Sequence, residues 1–190
     1  MGEHALAELC AYAKKFAQLD APKIRLLQAI HPLLAPRLDE VTDAFYQHLP
    51  TIDKARPFLE GREVSLKATH REWLESLFTS NFDLDYTRHL YKVGDVHVRI
   101  RLPVEFMAGG MTIIQGELMQ LTSRVFAGQP EPLLHANAAI NAATGFSLLV
   151  MQESYQSSSM AAELERFLQI TGISPTLFKN LAKAYNLKQP

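Results

Sequence analysis

Apolar residues recur along this chain at helical spacing and almost nowhere at the alternating spacing of a strand. Leu6, Leu9, Ala13 and Phe16 share one side of a segment from Glu3 to Leu19. Asp20 then stands where a helix cap belongs, with Pro22 in the first turn and Ile24, Leu27, Ile30 and Leu34 facing inward. Pro36 opens a third helix to Leu49, with Leu38, Val41, Phe45 and Leu49 in phase; Pro50 stops it, and a short element follows over Ile52 to Leu59. From Arg62 to Thr79, the residues Leu66, His70, Trp73 and Leu77 form one continuous stripe, so a histidine occupies a position where an aliphatic residue is expected. Asp85 to Pro103 is a further helical segment, in which Val96, Val98 and Ile100 surround His97 about two turns before a corner at Pro103. Two long helices follow, about Pro103–Phe126 and Pro132–Leu164. Ser157 to Ser159 reads as a frayed or hinge region, and the stretch after Gly172 predicts one more short amphipathic helix.

The two long helices carry few charges. A helix that is apolar around most of its circumference is buried on more than one side. In a small domain the second burial surface is naturally another copy of the chain, which predicts a homodimer joined as a four-helix bundle. Gly109 and Gly110, in the middle of the first long helix, each cost about 1 kcal/mol relative to Ala, which points to close helix packing or to room for a flat ligand.

Composition narrows the function. With 190 residues, 47% of them hydrophobic, the chain builds one well-buried all-α domain. A net charge of −1 carries no basic excess for nucleic acid or anionic membranes. Cys10 is the single cysteine, so neither an intrachain disulfide nor a cysteine cluster is available, and there is no CxxCH for covalent haem attachment. The N-terminal stretch is acidic where a signal peptide is basic, and the uncharged run Pro132 to Gln152 is too polar for a lipid-facing span. These features predict a cytoplasmic protein with no membrane or nucleic-acid partner.

Most histidines in apolar settings are structural, and His4, His31, His48, His89 and His135 are expected to be surface or local hydrogen-bonding residues. His97 before its corner and His70 on a facing apolar stripe together suggest a metal or haem held between two helices. A lone zinc site is less attractive, because no HExxH helix or third convergent ligand is visible. A flat macrocycle needs chiefly apolar walls and one axial imidazole.

The segments DAFYQHL, LKATHREWLESLF and VGDVHVRIRLP, in this order over roughly residues 32–154, resemble the globin-coupled sensor family, bacterial haem globins related to protoglobins. The resemblance implies a globin fold with an extra N-terminal helix, dimerising through its last two long helices, and a noncovalent haem b whose proximal ligand is His97. It implies that Tyr46 donates a hydrogen bond to a diatomic ligand (O2, NO or CO). The family motif ends in R-I-G-L-P; here the glycine is replaced by Arg101, and the aromatic residues usual just after it by Glu105 and Phe106. His70 is a second departure. It is a candidate second axial ligand, giving a six-coordinate bis-histidine iron; the alternative is that it only hydrogen-bonds within the pocket or turns towards a propionate. Expected pocket walls are Phe45, Leu66, Thr69, Trp73, Val93, Met107, Met111 and Phe146. These are also what an ordinary helical core contains. Arg99 is a candidate propionate partner, with a solvated arginine as the alternative.

The expected organisation is an N-terminal extension helix over 1–19, a sensor globin domain over 20–156 and a linker-like end over 157–190. The expected function is detection of a diatomic gas or of redox state, signalled through the dimer to an output domain or a separate partner. The alternatives are a nitric oxide dioxygenase, a weak peroxidase or a bis-histidine electron-transfer globin, although no Gly-rich dinucleotide loop is present to supply electrons.

Overall fold

A computed structural model describes residues 1–186, and no strand occurs among them. Helix α1 spans Glu3–Phe16 and buries Leu6, Cys10 and Ala13. Phe16, expected inward, is 67% exposed, because the buried stripe runs through Cys10 and leaves Phe16 on the far side. Asp20 caps α2 (Ala21–Leu34) by accepting a hydrogen bond from the Lys23 amide at 2.9 Å. A 3-10 turn over Ala35–Arg37 absorbs Pro36, so α3 starts two residues later than expected and runs Leu38–His48. A 3-10 turn holding Pro50 and the short helix α4 (Arg56–Leu59) lead to α5, Glu63–Thr79.

Asp83 caps α6 (Leu84–Arg99) through the Tyr86 amide at 3.0 Å. Helices α7 (Glu105–Val125), α8 (Pro130–Thr171) and α9 (Pro175–Asn186) complete the described chain. The break expected at Ser157 to Ser159 does not occur: α8 is continuous across 42 residues. No glycine or proline interrupts residues 146–171, and the hydroxyls of Ser157 and Ser158 find side-chain acceptors on Glu153 and Asp95. The helix ends where Gly172 takes a left-handed φ of 70°.

α8 is the spine, with α1, α2, α6 and α7 packed along it. It holds a stretch long and apolar enough to cross a membrane, but half of that stretch is buried inside the protein, as befits a core helix. Its alanines Ala136, Ala139 and Ala143 let neighbours approach. Closest is the crossing with α6 at Gly94, where a Cβ would lie 2.5 Å from the Met151 carbonyl oxygen and 2.6 Å from Ser154 Cβ. Hydrogen bonds reinforce this crossing: Ser154 Oγ donates to the Tyr91 carbonyl at 2.5 Å and approaches Asp95 Oδ1 at 2.7 Å. On the opposite side, Arg71 of α5 donates to Asp39 Oδ1 at 3.0 Å and to the Ala35 carbonyl at 3.0 Å. Glu75 joins Arg71 to His31 of α2; burial acts to raise its pKa, and these two partners outweigh that and lower it. His31 therefore ties two helices together rather than serving a local contact.

α6 stops at Arg99, so His97 lies in its last turn, not two turns from a corner. The Leu102 amide donates back to the His97 carbonyl at 2.9 Å, and Arg101 between them has φ +56°. This is the position where the related motif carries glycine. A left-handed non-glycine residue is strained by about 1–2 kcal/mol, partly offset by the extra unfolded-state freedom of glycine. Arg101→Gly is therefore expected to stabilise the protein by about 0.5–1 kcal/mol, seen as a higher thermal midpoint. A lower midpoint would mean that the arginine side chain makes contacts worth more than the strain.

Candidate functional site

α5 and α6 are consecutive; the hydroxyls of Ser76 and Tyr86 meet across them at 3.2 Å, while further along their backbones stand apart. α3 and α7 close the ends of the gap, which leaves a cavity of about 400 Å³ lined largely by apolar side chains. α3 contributes Phe45 and Tyr46, α5 contributes Leu66, Thr69, His70 and Trp73, α6 contributes Val93 and His97, and α7 contributes Met107 and Met111. The stripe read from the α5 sequence thus faces this gap along most of its length, and the two histidines share one cavity.

One expected wall residue, Phe146, and the candidate propionate partner, Arg99, fall elsewhere. Phe146 is fully buried in the core, where its ring meets Phe82 edge-on at 5.5 Å and stacks on Tyr86 at 6.4 Å. Arg99 does not line the cavity; its Nε reaches only the Asp95 carbonyl of its own helix, at 3.4 Å. Val96 is 46% exposed and does not line the cavity beside His97, whereas Ile100 does line it. Residues that periodicity alone missed include His89 at the exposed rim, Gly110, Met151 and the pair Phe58 and Phe106, whose rings meet at 6.0 Å. Phe106 was readable as an aromatic just past the corner. His89 could have been found from its register, two helical turns before His97 on the same face.

The electrostatics of the cavity are those of neutral donors in an apolar slot. Burial pushes the pKa of His70 down to about 4, and burial lowers that of His97 as well, so both imidazoles are uncharged near neutral pH and keep a free lone pair. Both ring nitrogens of His70, Nδ1 of His97 and Nε1 of Trp73 are buried without a hydrogen-bond partner. Leaving such groups unpaired costs about 1–3 kcal/mol each, and their concentration around one cavity points to a group that belongs there. Tyr46 is 7% exposed; burial, with a smaller contribution from the Glu63 charge, raises its pKa to about 12, so its hydroxyl keeps its proton. Among the described residues no cluster of three His, Cys, Asp or Glu side chains could hold a bare metal ion. The arrangement offers neutral nitrogen donors on two helices beside largely apolar walls.

The Protoglobin family model matches residues 6–160 of this chain. No curated protein matches it. Among solved structures, the chain is similar to the globin domain of the Geobacter sulfurreducens globin-coupled sensor, with 28% identity, a TM-score of 0.70, and coverage of 77% of this chain and 97% of that one. It is similar in fold to the globin domain of E. coli DosC in its ferrous and ferric forms, at 21% identity in both. Those TM-scores are 0.59 and 0.57, covering 80% and 82% of this chain and 97% of the other in each case.

Proposed function

This chain belongs to the protoglobin family, whose globin domains bind haem, and on that basis we propose that it holds haem b through His97 and senses a diatomic gas or redox state, with His70 as the second axial ligand. The observation that carries this reading is the pair of neutral imidazoles, on α5 and α6, that line one apolar cavity with buried nitrogens no protein group satisfies. The residues fit a flat macrocycle: apolar walls on α3, α5 and α7, an imidazole on α5 and on α6 that would hold it, and, among the described residues, no competing carboxylate cluster. The bound haem supplies an iron centre that takes a small ligand or changes oxidation state.

His97 is the permanent donor in this reading. His70 would hold the haem from the α5 side at rest, so an external gas would bind only the fraction of protein in which His70 has withdrawn. Tyr46, protonated and next to His70, then donates a hydrogen bond to the gas, which is its role once His70 has left. Withdrawal of His70 shifts α5, and a change at His97 shifts the end of α6.

The signalling part of the proposal rests on the contacts of that end. The Tyr155 hydroxyl donates to the Leu102 carbonyl at 2.9 Å, and Ser154 and Ser158 both bond Asp95. Displacement of the His97 corner therefore pulls on α8, whose extension carries Met160, Leu164, Phe167 and Ile170 exposed to solvent. A homodimer built on α7 and α8 would cover such residues and carry the change into residues 157–190, towards an output domain or a cytoplasmic partner. Residues 20–156 form the sensing unit in this scheme.

The absorption spectrum of haem-reconstituted protein, reduced and without added ligand, tests the reading. The expected result is a six-coordinate low-spin spectrum that becomes five-coordinate in His70→Leu. A five-coordinate wild-type spectrum ends the role of His70 as a ligand. Failure to develop a Soret band ends the haem reading altogether.

A further inference from the structure

His70 has nothing polar to orient it. A histidine ring is ordinarily fixed by a hydrogen bond to one nitrogen, which sets where the other nitrogen points. Here both nitrogens are buried and unpartnered. What touches the ring is aromatic: Phe45 of α3 stacks on it at 4.8 Å with planes 26° apart, and Trp73 of its own helix stacks at 5.6 Å with planes 28° apart. No ring contact joins Phe45 to Trp73 among the described residues, so the imidazole separates them. Tyr46 meets its edge at 5.7 Å and 75°. The Phe45 ring is seated in turn against Gly110 of α7, where even an added Cβ would lie 3.6 Å from it.

We propose that Phe45 and Trp73 are positioning residues that clamp the imidazole of His70, and so set how much of the protein has His70 on the haem iron. The inference rests on His70 being the second axial ligand, as argued above. A ring stacked against two others within 30° of its own plane keeps most of its contact when it slides in that plane, and loses it when it tilts further. The clamp therefore leaves His70 sliding in its own plane as its one easy motion and resists tilting of the ring out of that plane. Because one jaw belongs to α3 and the other to α5, the clamp also makes the coordination of His70 depend on how these two helices sit.

The test is carbon monoxide affinity of the reduced haem-loaded protein, with its ligand-free spectrum. Trp73→Leu is expected to add a five-coordinate component and to raise the apparent carbon monoxide affinity about three- to tenfold, the size expected from loss of one aromatic stack. Trp73→Phe, which keeps a ring but removes the indole N–H, is expected to stay near wild type. In a His70→Leu background, Trp73→Leu is expected to leave the affinity where His70→Leu alone puts it. Phe45→Leu repeats the test from α3 should Trp73→Leu not fold. An unchanged affinity in both leucine variants overturns the clamp, as does the same shift in the His70→Leu background or a Trp73→Phe variant that follows Trp73→Leu. If His70→Leu by itself moves neither spectrum nor affinity, the ligand role of His70 is what fails, and the clamp falls with it.

Discussion

His97→Ala is expected to leave a folded protein that no longer retains haem. The mutation removes the donor assigned as permanent, and the walls left behind are largely apolar; His89, the other α6 imidazole on the cavity, stands at its exposed rim two helical turns away. A lost ligand weakens binding by more than the 10- to 100-fold typical of a lost supporting contact, so an effect beyond about a hundredfold is expected. Transfer of haem to an excess of apomyoglobin measures it directly. The apo-protein should not suffer in parallel, because Nδ1 of His97 is buried and unpaired and its removal relieves a penalty. Free imidazole, small enough to enter the vacated space, should restore part of the retention. Unchanged retention in His97→Ala would show that the proximal ligand lies elsewhere.

Gly94→Ala is expected to be among the most damaging single changes to the fold. The added methyl would sit 2.5 Å from a backbone oxygen of α8 and 2.6 Å from Ser154 Cβ, neither of which is the far end of a flexible side chain. α6 and α8 must therefore separate at their tightest crossing, which also breaks the hydrogen bonds of Ser154 to Tyr91 and Asp95. Overpacking of this kind costs about 3 kcal/mol or more, out of a total stability of about 5–15 kcal/mol. For a chain of this size that is a drop of about 6–12 °C in thermal midpoint. Gly109→Ala is the control: it has open space around it, so the better helix propensity of alanine should hold or raise the midpoint. A Gly94→Ala midpoint equal to that of wild type would mean the helices crossing there are free to part.

Gly94 and Gly109 also show where reading the chain stops. Both are glycines inside helices, and their local sequence does not distinguish them. Gly109 and Gly110 drew attention because two adjacent glycines are costly in a helix, yet Gly109 faces open space, while Gly94 goes unremarked inside VGDVHV and is the one that cannot change. Histidines behave the same way. His70 stands out because it breaks an aliphatic stripe. His89 does not, because it interrupts no aliphatic stripe; only its register with His97, two turns on, sets it apart.

The helices, the cap at Asp20 and the continuous stripe on α5 that carries His70 follow from local rules. A period of 3.6 residues decides which side of a helix is apolar, and a cap or a glycine decides where it ends. Those rules act over a turn or two and need no partner. Which apolar side meets a neighbour and which meets a cavity is a matter of how helices distant in sequence cross. Phe146 could belong to the pocket or to the core by its pattern; the core claimed it because Phe82 and Tyr86 reach it there. The aromatic clamp on His70 needs Phe45 from another helix, and the orphaned nitrogens it holds are orphaned only because of what surrounds them. Periodicity names the face of each helix; the space between faces exists only once the helices are packed.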